Sequence, residues 1–235
     1  MKIQIEIEIK CPRCGSERII RNGKKSNGKQ LYKCLDCNRQ FIADHDKVYK
    51  GTISSVVNQI KLMLVRGSGI RDISVVLCVS IYKILSVLVE SSYDITPKKK
   101  HYTHLEIDEL WTYVGSKKKR KWLIYAYDRE SGEIVAYVWG DRSASTANRL
   151  RNKIIAMGVT YDRIATDNWD AFVKTFNNDS HDVGKQHTVG IEGNNCRLRH
   201  RMRRIFRKSC NFSKKVINHF KAFKMTVFYV NNGTI

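Results

Sequence analysis

The sequence predicts a mixed α/β protein in which two small N-terminal modules precede one larger domain. Three features support this: paired cysteines near the N-terminus, helical periodicity after residue 53, and strand-like patterns alternating with helices after residue 97. We place the segment boundaries at 1–47, 48–97 and 98–235. The last segment, of about 140 residues, is long enough to bury a proper hydrophobic core.

The charge balance predicts a polyanionic partner. Lys and Arg number 43 against 22 Asp and Glu, a net charge of +21, and nucleic acid is the commonest partner of so basic a chain. A membrane is not expected, because the longest mostly apolar run, 75–89, is interrupted by Lys83 and is too short to span a bilayer. No signal peptide is expected either, because polar residues alternate with isoleucines at residues 3–9, where a signal peptide would have an apolar core. We therefore expect a cytoplasmic protein whose cysteines are thiols or metal ligands.

The N-terminal segment predicts a structural zinc site. Residues 3–9 alternate isoleucine with polar residues, the period of a half-buried strand. Two Cys-x2-Cys pairs separated by nineteen residues follow, at Cys11, Cys14, Cys34 and Cys37. This spacing is typical of a four-thiolate zinc ribbon, with Gly15 and Asn38 at left-handed turn positions. The alternative is four unrelated buried cysteines. One Zn²⁺ is expected, without which so small a module would fold poorly.

Residues 53–91 have helical periodicity. One apolar stripe runs from Ile53 to Leu64, and a second comprises Ile70, Ile73, Val76 and Leu77. Ser80 is positioned to cap a third helix that carries Lys83. A tight break at residues 78–80 predicts a helix-turn-helix whose last helix enters a DNA major groove. A plain three-helix packing module is the alternative, and Cys78 is expected in the core.

The third segment predicts a sheet flanked by helices. Strands are expected at 105–114, 122–128 and 133–139, with a basic turn at 115–121 between the first two. A helix capped by Ser143 or Ser145 follows, then a strand ending at Asp167, a short helix, a helix beginning near Glu192 and a last helix after Ser213. Three antiparallel strands followed by alternating helix and strand describe a mixed sheet with helices against it.

Three acids stand out within these elements. Asp108 lies mid-strand among apolar residues, where a carboxylate is costly unless a cation meets it. If its strand lies beside the one ending at Asp167, the two acids face each other and Glu192 completes a set able to hold two Mg²⁺ ions. Arg199 follows Glu192 by about two helical turns on the same face. Glu106 and Glu109 are rival ligands, with Glu106 expected on the side of Asp108 and Glu109 on the other.

These motifs together resemble the insertion-sequence-one family of prokaryotic transposases. The similar parts are the cysteine pairs and the segments Gly67–Asp72, Asp108–Trp111, Thr166–Asp167 and Gly184–His200. The resemblance covers nearly the whole chain. It implies a ribonuclease-H-like catalytic domain of the DDE type, with Asp108, Asp167 and Glu192 as the metal-binding triad. Arg199 takes the place of the basic residue found seven positions after the glutamate.

The resemblance implies metal-assisted transesterification on DNA. Activated water hydrolyses the phosphodiester at each element end, and the freed 3′-hydroxyl attacks a target strand. The expected cofactors are two Mg²⁺ (or Mn²⁺) ions per active site and one structural Zn²⁺. The expected partner is double-stranded DNA, as terminal inverted repeats and target, bound by a nucleoid-associated homo-oligomer. Predicted DNA contacts are Arg197, Arg199, Arg201, Arg203, Arg204, Arg207 and Lys208, with Lys83 and, as a second backbone contact, residues 117–121.

Two other functions are compatible with parts of the pattern. A ribonuclease-H-like nuclease without strand transfer would share the acids but would need no end-recognition module. A non-enzymatic DNA-binding regulator would need only the zinc ribbon and the helix-turn-helix. The first 97 residues argue against the nuclease, and the acids with their spacing argue against the regulator.

Overall fold

The computed structural model describes residues 9–26, 28–42, 54–205 and 211–235. The chain divides into two compact units, residues 1–50 and 51–235. The strand predicted over residues 3–9 lies almost wholly outside the described residues, as do Ile53, Arg207, Lys208 and Cys210. The predicted boundary at 97/98 falls inside the second unit and stays a prediction.

The first unit is a three-stranded antiparallel sheet with very little core. Its strands β1 (Ile19–Lys24), β2 (Gln30–Cys34) and β3 (Gln40–Ile42) lie in sequence order. The buried apolar residues are Cys11, Cys34 and Phe41, with Tyr32 stacked on Phe41. So small a core cannot offset the entropy of ordering the segment, so the unit needs a further crosslink such as a metal.

Three helices begin the second unit: α1 (Ser54–Val65), α2 (Ile70–Leu77) and α3 (Ile81–Glu90). The axes of α2 and α3 differ by 116°, and Cys78 makes the turn with a left-handed backbone, φ +53°. Ser80 caps α3 as predicted, its Oγ accepting the backbone N–H of Lys83 at 3.1 Å. The turn that joins α1 to α2 lies against the end of a later helix: a Cβ on Gly67 would stand 2.7 Å from the carbonyl oxygen of His200.

Two burial predictions in this region are wrong. Cys78 is exposed, because it forms the left-handed turn itself. Val76 is 65% exposed, whereas Ile73 is fully buried. At about 100° per residue, the stripe is centred between Ile73 and Leu77 and leaves Val76 on its flank.

A five-stranded mixed sheet forms the centre of the second unit. Its strands are β4 (His101–Val114), β5 (Ser116–Asp128), β6 (Glu133–Gly140), β7 (Thr160–Thr166) and β8 (His181–Val183). The spatial order is β6-β5-β4-β7-β8, antiparallel from β6 to β4 and parallel from β4 to β8. The predicted order of three antiparallel strands before alternating helices and strands is confirmed. The three-residue β8 was not predicted, because it is too short to show a period.

The predicted basic turn at 115–121 is wrong. Residues 116–121 belong to β5, and the chain reverses at Gly115, φ +74°. Five consecutive cations at 117–121 give the segment no alternation of polar and apolar residues, so the sequence did not indicate a strand there.

Helices cover both faces of the sheet, and β5 alternates between them. Ile124 and Ala126 face one core, which α4 (Ala144–Ala156) and α5 (Asp170–Thr175) cover. Ser143, not Ser145, caps α4, its Oγ accepting the N–H of Thr146 at 3.3 Å. The apolar periodicity of this segment predicts that Ala147, Leu150 and Ile154 face inward, and all three are buried.

The opposite face is covered by α6 (Val189–Arg201), α7 (Val216–Asn232) and helices α1–α3. α7 packs against α1, α3 and β6, and the Asn231 amide bonds both backbone groups of Ile134. α6 begins at Val189, one turn before the predicted start, and ends before Met202. The spacing of Leu198, Met202 and Ile205 predicts one apolar stripe on a single helix. This prediction is wrong, because all three are buried but only Leu198 lies within α6. One hydrophobic core joins α1–α3 to the sheet.

Within the described residues, no single helix is long and apolar enough to cross a membrane. Only the bent pair α2–α3 meets the combined criteria of length and composition.

The buried histidine of α7 predicts acid sensitivity. His219 is fully buried against Trp139 and Phe220, and neither ring nitrogen has a hydrogen-bond partner among the described residues. Burial, aided by the Arg204 charge, lowers its pKa to about 4. The unfolded chain, with a histidine pKa near 6.5, takes up the proton first, so stability falls as pH drops from about 6.5 towards 4. Between pH 7 and pH 5 this side chain should cost about 2 kcal/mol of unfolding free energy.

The test is urea unfolding at both pH values, followed by tryptophan fluorescence, because all four tryptophans lie in the second unit. His219→Leu should narrow the difference between the two unfolding free energies by about 2 kcal/mol. His200→Gln, at an exposed position of α6, is the control and should leave it unchanged. An equal pH dependence in wild type and His219→Leu would contradict the prediction.

Candidate active site and zinc site

The four predicted cysteines meet at one point. Their sulfur atoms all lie within 4.8 Å of one another, with Cys11 Sγ 3.5 Å from Cys37 Sγ and Cys14 Sγ 3.6 Å from Cys34 Sγ. These separations are far too long for disulfide bonds. They are close to about 3.8 Å, the distance between two sulfurs that bind one Zn²⁺ tetrahedrally with Zn–S bonds of about 2.3 Å. The donor set therefore fits one zinc ion.

Turn geometry holds this cluster in place. Gly15 and Asn38 have the predicted left-handed backbone, φ +72° and +58°. Asp36, between the second pair of cysteines, accepts hydrogen bonds from Ser16 Oγ at 2.5 Å and Arg18 Nη1 at 2.7 Å. Side chains beside the first cysteine pair are thus tied to the second pair, independently of any metal.

Three carboxylates converge where β7 ends. The last residue of β7, Thr166, is in register with Ile107 on β4, so Asp167 follows beside Asp108. Oxygens of Asp108, Glu109 and Asp167 lie within 4.8 Å of one another, and all three side chains are half-buried. The structure thus brings together two of the three acids proposed for the triad.

Glu109 is the unexpected member of this acidic cluster. Adjacent residues of a strand point to opposite faces, but β7 has stopped and no longer separates those faces here, so the expectation that Glu109 points away is wrong. Its Oε1 accepts a hydrogen bond from Arg142 Nε at 2.7 Å, and Arg142 Nη2 forms an ion pair with the same oxygen at 2.7 Å. Its Oε2 is buried and has no hydrogen-bond partner in the described part of the chain.

The electrostatics of the cluster favour a cation. Burial, together with the charges on Glu109 and Asp167, raises the pKa of Asp108 to about 7, and two hydrogen bonds to this carboxylate oppose the rise. Burial likewise raises the pKa of Glu109, although Arg142 opposes this. Closely packed carboxylates with an unpaired buried oxygen are a donor set that fits Mg²⁺ or Mn²⁺.

A buried polar network connects this cluster to α6. Asn195 Nδ2 donates to Asp108 Oδ2 at 2.6 Å, and Tyr125 Oη donates to Asn195 Oδ1 at 2.8 Å. Asn194 Nδ2 donates to the same tyrosine oxygen at 3.2 Å. Sequence reasoning assigned no role to these three residues. The available hint was a pair of amides on the face of α6 that also carries the buried Ile191 and Leu198.

Glu192 and Arg199 lie on the side of α6 that faces the acids. They are three residues before and four residues after Asn195, so all three share one helical face. Glu192 is exposed and is not part of the 4.8 Å cluster among the described residues. Burial raises the pKa of Tyr125, and the nearby charge of Arg199 opposes that rise. The roles proposed for Glu192 and Arg199 stay predictions.

Glu106, the other rival acid, serves the helix instead. It is fully buried, and its Oε2 accepts the backbone N–H of Ile191 at 2.6 Å in the first turn of α6. Burial raises the pKa of Glu106. The hydrogen bonds from the backbone N–H groups of Ile191 and Gly190 oppose that rise. The carboxylate meets the positive end of the helix dipole. A Cβ on Gly190 would stand 2.6 Å from Glu106 Oε1, so this position requires glycine.

Several of the predicted DNA-contacting cations already have protein partners. Arg197 donates to Asn194 Oδ1 at 2.7 and 3.0 Å and to the carbonyl of Gly132. The Arg201 guanidinium lies over the Tyr229 ring at 5.3 Å. Burial lowers the pKa of Arg204, whose Nη1 donates to Ser213 Oγ. Arg203 and Lys83 are exposed and half-buried, respectively. The assignment of all these residues to DNA stays a prediction.

A cleft of about 650 Å³ adjoins the acidic cluster. Asp167 lines the cleft, and Arg142 and Trp169 form one side of it. The Arg142 guanidinium lies over the Trp169 ring, 4.6 Å from its centroid. Lys185 and Gln186 line the cleft after β8. The acids therefore open onto a polar, partly cationic space large enough for part of a nucleotide.

Comparison with known proteins decides the family. Residues 103–231 match the family described as IS1 transposase. The chain belongs to this family. Residues 6–38 match the family described as InsA N-terminal domain, a zinc ribbon, and with the four-cysteine cluster this match indicates a zinc site. A transposase that acts on DNA is the class of protein these matches support.

Two curated relatives are similar to about half of this chain. The chain is 40% identical to the Insertion element IS1 protein InsB of Shigella flexneri over 116 residues, 49% of this chain and 87% of the relative. It is 39% identical to the Insertion element IS1 2 protein InsB of Escherichia coli (strain K12) over 116 residues, 49% of this chain and 68% of the relative. A chain in the structure of the simian T-cell lymphotropic virus intasome in complex with PP2A regulatory subunit B56 gamma aligns at a TM-score of 0.38 with 15% sequence identity. The alignment covers 70% of this chain and 66% of that chain. This score assigns no fold.

The zinc site gives one prediction. Cys34→Ser/Cys37→Ser should lose the single bound Zn²⁺ and the amide dispersion of residues 9–42, because metal ligation supplies folding free energy to so small a unit. Metal analysis and heteronuclear NMR measure the two effects. Cys78→Ser/Cys196→Ser changes two exposed thiols and should keep both. Stoichiometric zinc in the first variant would contradict the assignment.

The polar network gives another. Asn195→Ala removes the donor to Asp108 and the acceptor of Tyr125 in a buried setting, which should cost about 2 kcal/mol of unfolding free energy. Cys196→Ala, the exposed next residue of α6, is the control and should stay within about 0.5 kcal/mol of wild type. Urea unfolding followed by tryptophan fluorescence compares them. Equal losses in the two variants would mean that the network contributes no stability.

Proposed function

We propose that this protein is a DDE-type transposase that cleaves DNA at element ends and joins them to target DNA in a metal-dependent reaction. The observation that carries the proposal is the convergence of Asp108, Glu109 and Asp167 at the end of β7. Asp108 is also hydrogen-bonded to Asn195 on α6, the helix that bears Glu192. A DNA-binding regulator would gain nothing from concentrating three half-buried carboxylates at one point.

We further propose a ribonuclease-H-like fold for residues 98–235. Three antiparallel strands followed by two parallel strands on the far side of β4 support it, with helices on both faces of the sheet. For residues 48–97 we propose a helix-turn-helix with α3 in the major groove. There Tyr82, 82% exposed, and Lys83 would contact DNA.

Asp108 and Asp167 would hold the catalytic metals, with Glu192 as the third ligand. Two Mg²⁺ (or Mn²⁺) ions there would supply Lewis-acid polarisation of the scissile phosphodiester and of the attacking oxygen. Asn195 fixes one oxygen of Asp108 and leaves the other to the backbone N–H of Glu109. Arg142 neutralises Glu109 and so limits repulsion within the cluster. Arg199 would hold a DNA phosphate beside it.

The partner in this proposal is duplex DNA, both terminal inverted repeats and target. The protein would act as a homo-oligomer that holds two ends together. The net charge of +21 supports a polyanionic partner, and the family supports DNA. The zinc ribbon and α1–α3 would recognise the element end, and the cationic residues of α6 and those after it would hold the phosphate backbone.

The test is a joining assay with pre-cut 3′-hydroxyl element ends, Mg²⁺ and a supercoiled target. Wild type should give joined product, and Asp108→Asn, Asp167→Asn and Glu192→Gln should each lower it by more than about a hundredfold, beyond what loss of an outer-shell contact costs. A nuclease would cleave but never join, and a regulator would be inactive throughout. Undiminished joining in any of these variants would remove that residue from the triad.

A matched pair separates the two candidate third ligands. Glu109→Gln and Glu192→Gln each remove one carboxylate charge, and Mn²⁺ binding is measured by titration calorimetry without any reaction. Glu192→Gln should weaken Mn²⁺ binding more, if Glu109 stays with Arg142. The reverse order would assign the third ligand to Glu109 and release Glu192 from the triad.

A further inference from the structure

The hairpin of β4 and β5 extends beyond the rest of the sheet. β7 last pairs with β4 at Ile107, and β6 last pairs with β5 at Trp122. β4 nevertheless continues to Val114. Residues 112–121, here named the basic arm, therefore pair only with each other among the strands that the structure describes. The arm therefore continues as two strands beyond the rest of the five-stranded sheet, with Thr112, Tyr113 and Val114 buried on its inner strand.

The outer strand of the arm carries five consecutive cations, residues 117–121. The first four are exposed. Lys117, Lys118 and Lys119 bulge out of the pairing, because Arg120 is in register with Tyr113 and Ser116 with Val114. Within the described part of the chain, none of the three bulged lysines forms an ion pair. Among the described residues, no acid forms an ion pair that would offset the mutual repulsion of these lysines.

The arm is braced and does not depend on the lysines for its shape. Gly115, at the tip, donates its N–H to the carbonyl of Ser213 at 2.8 Å. The Tyr113 ring packs on Phe212 with centroids 5.4 Å apart, and the Arg120 guanidinium lies over Trp111 at 5.1 Å. A charge run on a fixed hairpin is presented at a defined place, unlike one on a flexible loop.

That place is set by the acidic cluster. β4 runs past the end of β7, so the arm projects from the same edge of the sheet at which Asp108 and Asp167 meet. Seven residues separate Asp108 from Gly115, about 23 Å at some 3.3 Å per strand residue. Duplex DNA advances about 3.4 Å per base pair, so this distance corresponds to about 7 base pairs.

We propose that the basic arm binds the phosphate backbone of duplex DNA about 7 base pairs from the phosphodiester held at the acidic cluster. Exposed lysines without competing acids are suited to such sequence-independent contacts. The position of the contact rests on the proposed function, because it is measured from the catalytic acids. The contact itself rests only on the exposure and charge of the arm.

The first test measures the salt dependence of binding to a labelled mixed-sequence duplex. Lys118→Gln/Lys119→Gln should flatten the log–log slope by about 1.8, so that wild-type affinity falls about 12-fold more than that of the variant across a fourfold rise in salt. Arg149→Gln/Lys174→Gln removes the same charge from exposed positions on α4 and α5 and should leave the slope near wild type. Lys118→Arg/Lys119→Arg should also keep it. Equal slopes for the two glutamine variants would overturn the proposal.

The second test locates the contact by hydroxyl-radical footprinting on a pre-cut end duplex. Wild type should protect the backbone about 7 base pairs from the cut end, and only the arm glutamine variant should lose this protection. Protection that is unchanged in this variant overturns the proposal. An unchanged DNA slope combined with weaker binding to phosphatidylserine vesicles also overturns it, in favour of a membrane surface.

The two tests also separate this proposal from the proposed function. If wild type never joins ends but the arm variant still shows the flattened slope, strand transfer fails and the arm contact stands. If wild type joins ends normally while the arm variant binds like the control, only the arm contact fails.

Discussion

The second unit depends on one electrostatic constraint, the crowding of three carboxylates at the point where β7 ends. Burial and mutual repulsion raise the pKa of Asp108 to about 7, so the cluster is costly without a cation nearby. Arg142 offsets part of this cost through Glu109, and the amide of Asn195 offsets another part. Glu109 Oε2 is buried and has no hydrogen-bond partner among the described residues. This unsatisfied acceptor distinguishes the cluster from an ordinary surface group of acids.

α6 is placed by the same strand that carries the acids. Glu106 binds the first turn of the helix, and Asp108, two residues along β4, is reached by Asn195 in the middle of the helix. Both residues point to the same side of the strand, so two carboxylates fix the helix at two points along its length. Glu192 lies between these points, and its position relative to Asp108 follows from them.

Features that depend on local chemistry could be predicted from the sequence. The zinc site follows from cysteine spacing, the caps at Ser80 and Ser143 follow from helix starts, and the meeting of Asp108 with Asp167 follows from the order of strands. The orientation of Glu109 could not be predicted, because it depends on where a neighbouring strand stops.

Tertiary contacts account for the other omissions. The network of Asn195 and Tyr125 joins residues far apart in the chain, and nothing local marks them as partners. Glu106 looked like a rival ligand because its partner, the start of α6, comes from a distant segment. The basic arm was taken for a turn because lysines without alternation conceal a strand.

The close fit of Gly67 against the end of α6 has a consequence for distance along DNA. The turn between α1 and α2 touches the carbonyls of His200 and Arg201, and helices α1–α3 share a core with the sheet. Under the proposed function, the helices that recognise an element end are therefore not on a tether. The rigid connection between these helices and the acidic cluster would then fix the number of base pairs between the recognised sequence and the cut site.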